Sequence, residues 1–415
     1  MVGRAIGLVG TLLLTHYLAP AAYGEVHVAS IVVVFTTSVF SLGFGQYVVA
    51  HPKAGPDLVF HATFYHVVIG VMGLGALLLL RHQVALLFPR AAGMVVFLPW
   101  LVLANCFDRV SYLPSRVLAR DMRFRALALR TFAREIIYTV VTLTLALRGL
   151  GAWAVMWGMV VRTVVVETAL VLYVDWRLWA KPVPLSWKTT KQLFTFLPIG
   201  ASNVLHYLAR RGDNMLIAGL YGKAAVGQYN LAYNLADVPA SHIGEHIGDV
   251  LLPSFAKLNT NEDRQRALVR AAWLLSLVVF PLAIGLGAVA HTLVAVVFNQ
   301  QWAAVAPMLV VLSVLSVLRP VGWLVQSYLQ AMRRARVLLL LEVARTATLL
   351  VAILALSSRG VLWACYAVGI AYGINAAASL WVVHRTDGLG MWPLLRPYLP
   401  PLLACVPMVC AVLAV

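Results

Sequence analysis

The 415-residue chain is 62% hydrophobic and only 11% charged, too little polar surface for a fold solvated by water, so a single soluble domain is excluded. A formal charge of +17 would suit nucleic acid in a soluble protein, but here the cations sit in short loops between apolar segments. Their natural partner there is anionic membrane lipid, and nucleic acid is not expected.

A helix needs about 20 mostly apolar residues to cross hydrocarbon. In chain order the segments that meet this run Val2 to Leu18, Val26 to Ala50, Leu58 to Leu80, Ala91 to Leu113, Thr131 to Leu147, Trp153 to Val174 and Leu193 to Leu220. They continue with Ala225 to Leu252, Ala271 to Ala290, Val305 to Leu329, Val337 to Leu356, Val361 to Val383 and Leu399 to Val415. The first runs through Pro20, Tyr23 and Gly24 directly into the second, which reads as a spanning helix and not a cleaved signal. The start so close to Met1 and the abrupt stop after Pro400, Pro401 and Pro407 suggest an abbreviated chain.

Every second gap between these segments is basic. Lys53; Arg116, Arg120, Arg123, Arg125 and Arg130; Arg177, Lys181, Lys188 and Lys191; Lys257, Arg264, Arg266 and Arg270; Arg333, Arg334 and Arg336; and Arg385 with Arg396 fall in the even gaps. The odd gaps hold only Arg81, Arg90, Arg148, Lys223 and Arg359. Short Lys- and Arg-rich loops stay in the cytoplasm, so the amino end is expected inside.

A repeat organises the first twelve segments. Val84, Ala85 and Phe88 recur as Val294, Ala295 and Phe298, Arg125 as Arg336, and Arg148, Gly149 and Trp153 as Arg359, Gly360 and Trp363. The offset stays near ~210 residues, while Gly24 and Ala29 match Gly227 and Ala232 slightly closer. The expected fold is an all-α integral membrane protein of 12–14 transmembrane helices, with two parallel-repeat six-helix bundles around a central cavity plus at least one extra C-terminal helix. The expected domains are an N-terminal bundle 1–174, a cytoplasmic linker 175–192, a C-terminal bundle 193–384, and a loop with the additional helix over 385–415. Gly43 with Gly45, and Gly70 with Gly73 and Gly75, read as sites of close helix packing.

Charges inside spans are costly, at least roughly 2.5 to 3.5 kcal/mol at mid-bilayer, so they face a partner or a wet cavity. Arg109 and Arg319 occupy equivalent places in the two halves. Arg109 has Asp108 beside it, whereas Arg319 precedes Pro320 with no adjacent acid. His206, Arg210, Arg211 and Asp213 lie in the seventh segment, and Asn230, Asn234, Asp237, Ser241, Glu245 and Asp249 draw a polar stripe down the eighth. The antiparallel hairpin sets Arg210 and Arg211 level with Asp237, where an ion pair competes with a substrate contact. Glu245, flanked by His242 and His246, has no cation at its level and is the leading proton or sodium site, with Asp237 and Asp249 as further acids. Arg134 with Glu135, Arg162 with Glu167, and Glu342 with Arg345 read as structural pairs, Arg4 as a terminal cytoplasmic charge or an anion contact, and Trp100, Trp153, Trp302 and Trp363 as an interfacial belt. Cys106, Cys365, Cys405 and Cys410 lack metal-ligand spacing and imply neither zinc nor disulfides. No GxxxxGK[ST] phosphate loop is present, so the chain is not itself a P-loop pump.

Arg211, Asp213, Gly222, Gly227 and Tyr229, within RRGDNMLIAGLYGKAAVGQYNLAYNLADVP, resemble the R-x-D and G-x-Y elements of polysaccharide-export flippases. Leu18, Pro20, Tyr23 and Gly24 in HYLAPAAYGEVHVAS resemble the same family's opening. That family belongs to the multidrug, oligosaccharidyl-lipid and polysaccharide exporter superfamily. The resemblance implies a bacterial inner-membrane protein of twelve or fourteen helices. Such a protein flips undecaprenyl-diphosphate-linked sugar units outward for O-antigen, capsule or exopolysaccharide assembly. It would be no enzyme, would need no cofactor beyond proton or sodium coupling, and would have a polysaccharide polymerase and glycosyltransferases as candidate partners. Arg109, Arg319, Arg210, Arg211 and Arg4 are the candidate diphosphate contacts, because the planar guanidinium binds oxyanions bidentately. A multidrug exporter of the same superfamily would want an acid-lined pocket for organic cations. A membrane glycan polymerase or ligase would want a long outer loop, and the chain has none.

Overall fold

The computed structural model describes residue 7 and residues 10–414, apart from 52–54, 196, 259 and 333. The side chains of residues 50, 198, 199, 202, 238–250, 252, 253, 256, 257, 335 and 413 also lie outside the description. No strand occurs among the described residues. The long helices are α1 (Pro20–Val39), α2 (Pro56–Leu79), α3 (Leu98–Arg120), α4 (Phe124–Leu147), α5 (Ala152–Tyr173), α6 (Leu197–Tyr221) and α7 (Lys223–Lys257). They continue as α8 (Asn261–Ala288), α9 (Val305–Leu315), α10 (Arg319–Ala331), α11 (Ala335–Leu356), α12 (Val361–Asp387) and α13 (Leu399–Leu413).

Eight helical stretches among the described residues are long and apolar enough to cross a membrane, with α9 and α10 counted as one stretch, Val305–Ala331. A ninth is α3 taken with the 3-10 turn Pro89–Val96, from which it is bent by 63°. Helices α4, α6 and α7 have spanning length but carry charge, α4 alone holding Arg125, Arg130, Arg134 and Glu135. Lipid cannot hydrogen-bond backbone, so helices are the natural way for such segments to satisfy their peptide groups.

One expected span is broken. The segment Val26 to Ala50 ends as a helix at Val39 and turns through Leu42 (φ 50°) and Gly43 (φ 78°) before a short helix, Phe44–Ala50. Glycine suits that left-handed turn because it has no Cβ. The tenth segment stays one stretch, Val305–Ala331, through a 3-10 turn, Ser316–Leu318, and Pro320 sits in the first turn of α10, where a missing N–H is tolerated. Several cations assigned to loops also sit in helices: Arg116 and Arg120 in α3, Arg125 and Arg130 in α4.

The chain forms two compact units, Met1–Gly227 and Gln228–Val415. The repeat reappears as matched backbone detail inside each. Leu80 (φ −89°, ψ 9°) ends α2 and starts the short helix Arg81–Leu86; Val289 (φ −89°, ψ 1°) does the same between α8 and Ala290–Val297. Arg123 and Arg334 enter α4 and α11 with ψ 53° each, and their N–H groups bond Leu118 and Leu329 at 2.9 and 3.0 Å. Arg334 also bonds Asp387 with both terminal nitrogens, at 3.0 and 2.8 Å, which holds its guanidinium above even the usual arginine range.

In the first unit Phe44, Val59, Leu113, Leu118 and Leu170 form a core that also takes Trp179 and Leu193 from residues 175–194. That segment is tied down by polar contacts. His61 donates through Nδ1 to the Asp57 carbonyl (2.7 Å) and accepts the Ser186 N–H at Nε2 (2.8 Å), while Tyr65 meets Thr190 at 3.0 Å. Helix α6 packs against α1 within this unit, where Tyr207 donates to the Ile31 carbonyl at 2.8 Å. In the second unit Phe255, Leu268, Leu324, Tyr328 and Val383 form the equivalent core.

Candidate functional site

Arg319 is buried at the start of α10, just after the 3-10 turn Ser316–Leu318 and before Pro320. It is not the unpaired cation its sequence neighbours suggest. Its Nη1 forms an ion pair with Asp237 of α7. Its guanidinium carbon lies 5.0 Å from the centre of the Tyr233 ring and 4.8 Å from that of Tyr372, and the two tyrosine hydroxyls meet at 3.0 Å. A guanidinium between two rings gains cation–π attraction that strengthens as water is excluded. Nε has no hydrogen-bond partner among the described residues, and the Asp237 side chain stays 36% exposed. Among the described residues the site is therefore a caged cation with one carboxylate, itself partly exposed. On the same face of α10, Gly322 leaves room for Asn375 of α12, with a built Cβ only 3.1 Å from its Nδ2.

Arg109, its counterpart, is also buried but bound differently. Asp108 does not hold it. Its Nη2 donates to the Thr37 carbonyl in the last turn of α1, and its Nη1 lies 3.4 Å from His66 Nε2. Carbonyls in a helix's last turn lack intrahelical donors, and a cation there also meets the negative end of the helix dipole. Arg109 thus caps the broken span. Gly70 makes the space, since a Cβ there would lie 2.7 Å from the Arg109 Cδ.

Two other pairings differ from the sequence expectation. Glu167, fully buried, accepts from Arg130 (2.7 Å), Arg134 and the Ser111 hydroxyl (2.7 Å). Arg162 instead lies over the Tyr138 ring at 5.0 Å, and Asp108 faces Arg130 and Arg134 at 3.6 and 3.4 Å. The reason is helical geometry: Arg130 and Arg134 are one turn apart on α4 and share a face. Glu342 does pair with Arg345, at 2.5 Å. Trp302 is 1% exposed and belongs to the core, whereas Trp100, Trp153 and Trp363 are exposed as an interfacial belt requires.

On α6, Arg210 and His206 are exposed and Arg211 is half-buried, while Asp213 is buried and accepts from the backbone and side chain of Asn214 at 2.7 and 3.0 Å. On α7, Asn234 donates to buried Asn230 at 2.9 Å. Arg4, Lys53 and Arg333, and the side chains of Ser241, His242, Glu245, His246 and Asp249, lie outside the described residues. Sequence reasoning missed Tyr233 and Tyr372. Tyr233 precedes Asp237 by one helical turn and could have been read from the stripe; Tyr372 lies on a distant helix with no local signal.

The described helices define a polytopic, all-helical membrane protein with a duplicated plan and a buried, caged arginine. Over residues 13–307 the chain matches the family described as polysaccharide biosynthesis protein, and it belongs to that family. It is 25% identical over 406 residues to the succinoglycan biosynthesis transport protein ExoT of Rhizobium meliloti (strain 1021), covering 94% of this chain and 80% of that one. It is 33% identical over 135 residues to the lipopolysaccharide biosynthesis protein WzxC of Escherichia coli (strain K12), a match covering 32% of this chain and only 27% of the length of that relative. The fold is similar to the lipid II flippase MurJ in an inward closed conformation, with TM-score 0.80 and 12% identity over 99% of this chain and 91% of that one. It is also similar to an inward-facing multidrug resistance MATE family transporter, with TM-score 0.72 and 14% identity over 93% and 95% of the two chains.

Proposed function

We propose that the chain is a flippase. It carries polyprenyl-diphosphate-linked oligosaccharide from the cytoplasmic to the outer leaflet of a bacterial inner membrane by alternating access, for lipopolysaccharide, capsule or exopolysaccharide assembly. A diphosphate cannot cross hydrocarbon bare, and a planar arginine fork is suited to two of its oxygens. The observation that carries the reading is the Arg319 cage with its partly exposed Asp237 carboxylate. An entering diphosphate competes with Asp237 for the same guanidinium, and the displaced carboxylate is then free to take a proton or sodium ion. Re-pairing of Asp237 with Arg319 expels the anion. Loading and coupling thus share one ion pair, with Glu245, Asp249, His242 and His246 further along α7 as additional acceptors. Arg109, Arg210, Arg211 and Arg4 are the remaining candidate anion contacts.

An inside-negative potential assists, since moving one negative charge outward through the full field gains about 2.3 kcal/mol per 100 mV. In this reading the amino end is cytoplasmic, and polysaccharide polymerase and glycosyltransferases act beside the flippase on the same glycan.

Reconstituted flipping of a fluorescent polyprenyl-diphosphate sugar, with and without an imposed pH gradient, tests the reading. Arg319→Ala should abolish flipping, and Arg319→Lys should recover only part of it, because a point charge replaces a fork. Asp237→Asn and Glu245→Gln should each reduce the response to the gradient. Parental rates in Arg319→Ala at matched protein amount would remove the cage from the mechanism.

A further inference from the structure

The second unit carries a groove that the transport reading does not use, of about 770 Å³, between the first turns of α8 and the turn that leads into α13. On α8, Glu262, Arg266, Arg270 and Trp273 are spaced four, four and three residues apart and so share one face. Opposite them, Trp392 and Arg396 are four residues apart in Met391–Leu395 and the turn that follows. Two basic segments separated by more than a hundred residues in sequence therefore meet in one groove.

The charge there is unbalanced. Arg266 is paired with Glu262 at 3.3 Å and Asp263 at 3.9 Å. Arg270 and Arg396 are exposed and have no ion-pair partner among the described residues. At about 1.5 Å of rise per residue, α8 descends from Glu262 to Trp273 over about 16 Å, roughly the depth of a lipid headgroup layer and the start of the hydrocarbon. Below the arginines the surface becomes apolar and exposed, with Trp273 and Leu277 on α8 and Leu403 on α13 each more than two-fifths exposed. A cationic rim above an apolar track along two packed helices matches one molecule in both its parts, an anionic head and two acyl chains.

We propose that this groove binds an anionic phospholipid of the surrounding leaflet. Its phosphate lies between Arg270 and Arg396, its headgroup region beside Trp392, and its chains along Trp273, Leu277 and Leu403. The site is separate from the Arg319 cage and independent of which way the chain faces.

The test uses the full chain in phosphatidylcholine nanodiscs containing a minor fraction of either brominated phosphatidylglycerol or brominated phosphatidylcholine. Bromine quenches nearby indoles, and comparison with Trp392→Phe isolates the Trp392 share of the fluorescence. Brominated phosphatidylglycerol should quench that share more strongly than brominated phosphatidylcholine at equal mole fraction. Arg396→Gln should lower the phosphatidylglycerol preference about fivefold, and the double variant Arg270→Gln, Arg396→Gln roughly tenfold or more. Arg396 lies in an exposed turn, so its single variant keeps the test readable if the double variant unfolds. Equal quenching by the two brominated lipids in the parent would overturn the proposal. So would displacement of phosphatidylglycerol by equimolar undecaprenyl diphosphate, which would make the groove a substrate site.

Discussion

Among the described residues, individual arginines occupy contrasting environments, and each follows from what lies within reach of the guanidinium. Arg319 is caged by a carboxylate and two rings, Arg109 caps a helix end, Arg130 and Arg134 clamp Glu167, and Arg270 and Arg396 rim a groove. Glu167 is the most demanding of the partners, since it is fully buried and balanced by two cations and a hydroxyl. Removing one member of such a cluster leaves uncompensated charge in a poorly solvated site, which costs about 3 kcal/mol or more. Glu167→Ala should therefore lower the unfolding temperature of the detergent-purified protein strongly, while Glu342→Ala, whose pair with Arg345 is a local one on α11, should change it little. Equal losses in the two variants would contradict this ranking. The sequence showed which residues were charged and inside spans, but the partners were chosen across helices, 22 to 82 positions away in the case of Asp108, Glu167 and Asp237.

At the scale of elements, the motif glycines Gly24 and Gly227 explain each other. A Cβ built on Gly24 would strike the Lys223 carbonyl, and one on Gly227 would strike the Pro20 carbonyl, so α1 and the first turn of α7 cross backbone to backbone within the first unit. Small residues permit that approach, and a carbonyl of the main chain cannot rotate aside as a side chain can. Gly24→Ala and Gly227→Ala should each cost about 1 to 3 kcal/mol through overpacking. Thermal unfolding of the purified variants measures this, and Gly75→Ala, with open space at its Cβ position, is the control expected to match the parent. Breaks inside elements were harder to read than the elements themselves. The helix end that precedes the turn at Leu42 and Gly43 is capped by an arginine supplied by α3, which no local signal in residues 26–50 announces.

For the whole molecule, the basic loops make an orientation testable without any ligand. Single cysteines placed by Arg123→Cys, Lys188→Cys, Arg266→Cys and Arg334→Cys, in a background where Cys106, Cys365, Cys405 and Cys410 are replaced, should resist an impermeant thiol reagent applied to intact cells. They should react after permeabilisation. Rapid external labelling at position 188 would reverse the proposed topology. The same experiment bears on residues 175–194, because Lys188 is exposed while Trp179, Thr190 and Leu193 are buried against the first unit.

Membrane residence, the helical class and the duplicated plan could be determined from the sequence alone, because hydrocarbon imposes a length of apolar helix and a repeat imposes matching residues at a constant offset. The equal φ and similar ψ at Leu80 and Val289 are that repeat seen in three dimensions. Which charges are satisfied, and by what, was decided only by tertiary structure. Asp237 met Arg319, Asp108 left Arg109 to the Thr37 carbonyl, and Arg270 came to share a groove with Arg396. A charge in a poorly solvated place takes the counter-charge or dipole that packing brings nearest, and neighbours in space among bundled helices are seldom neighbours along the chain.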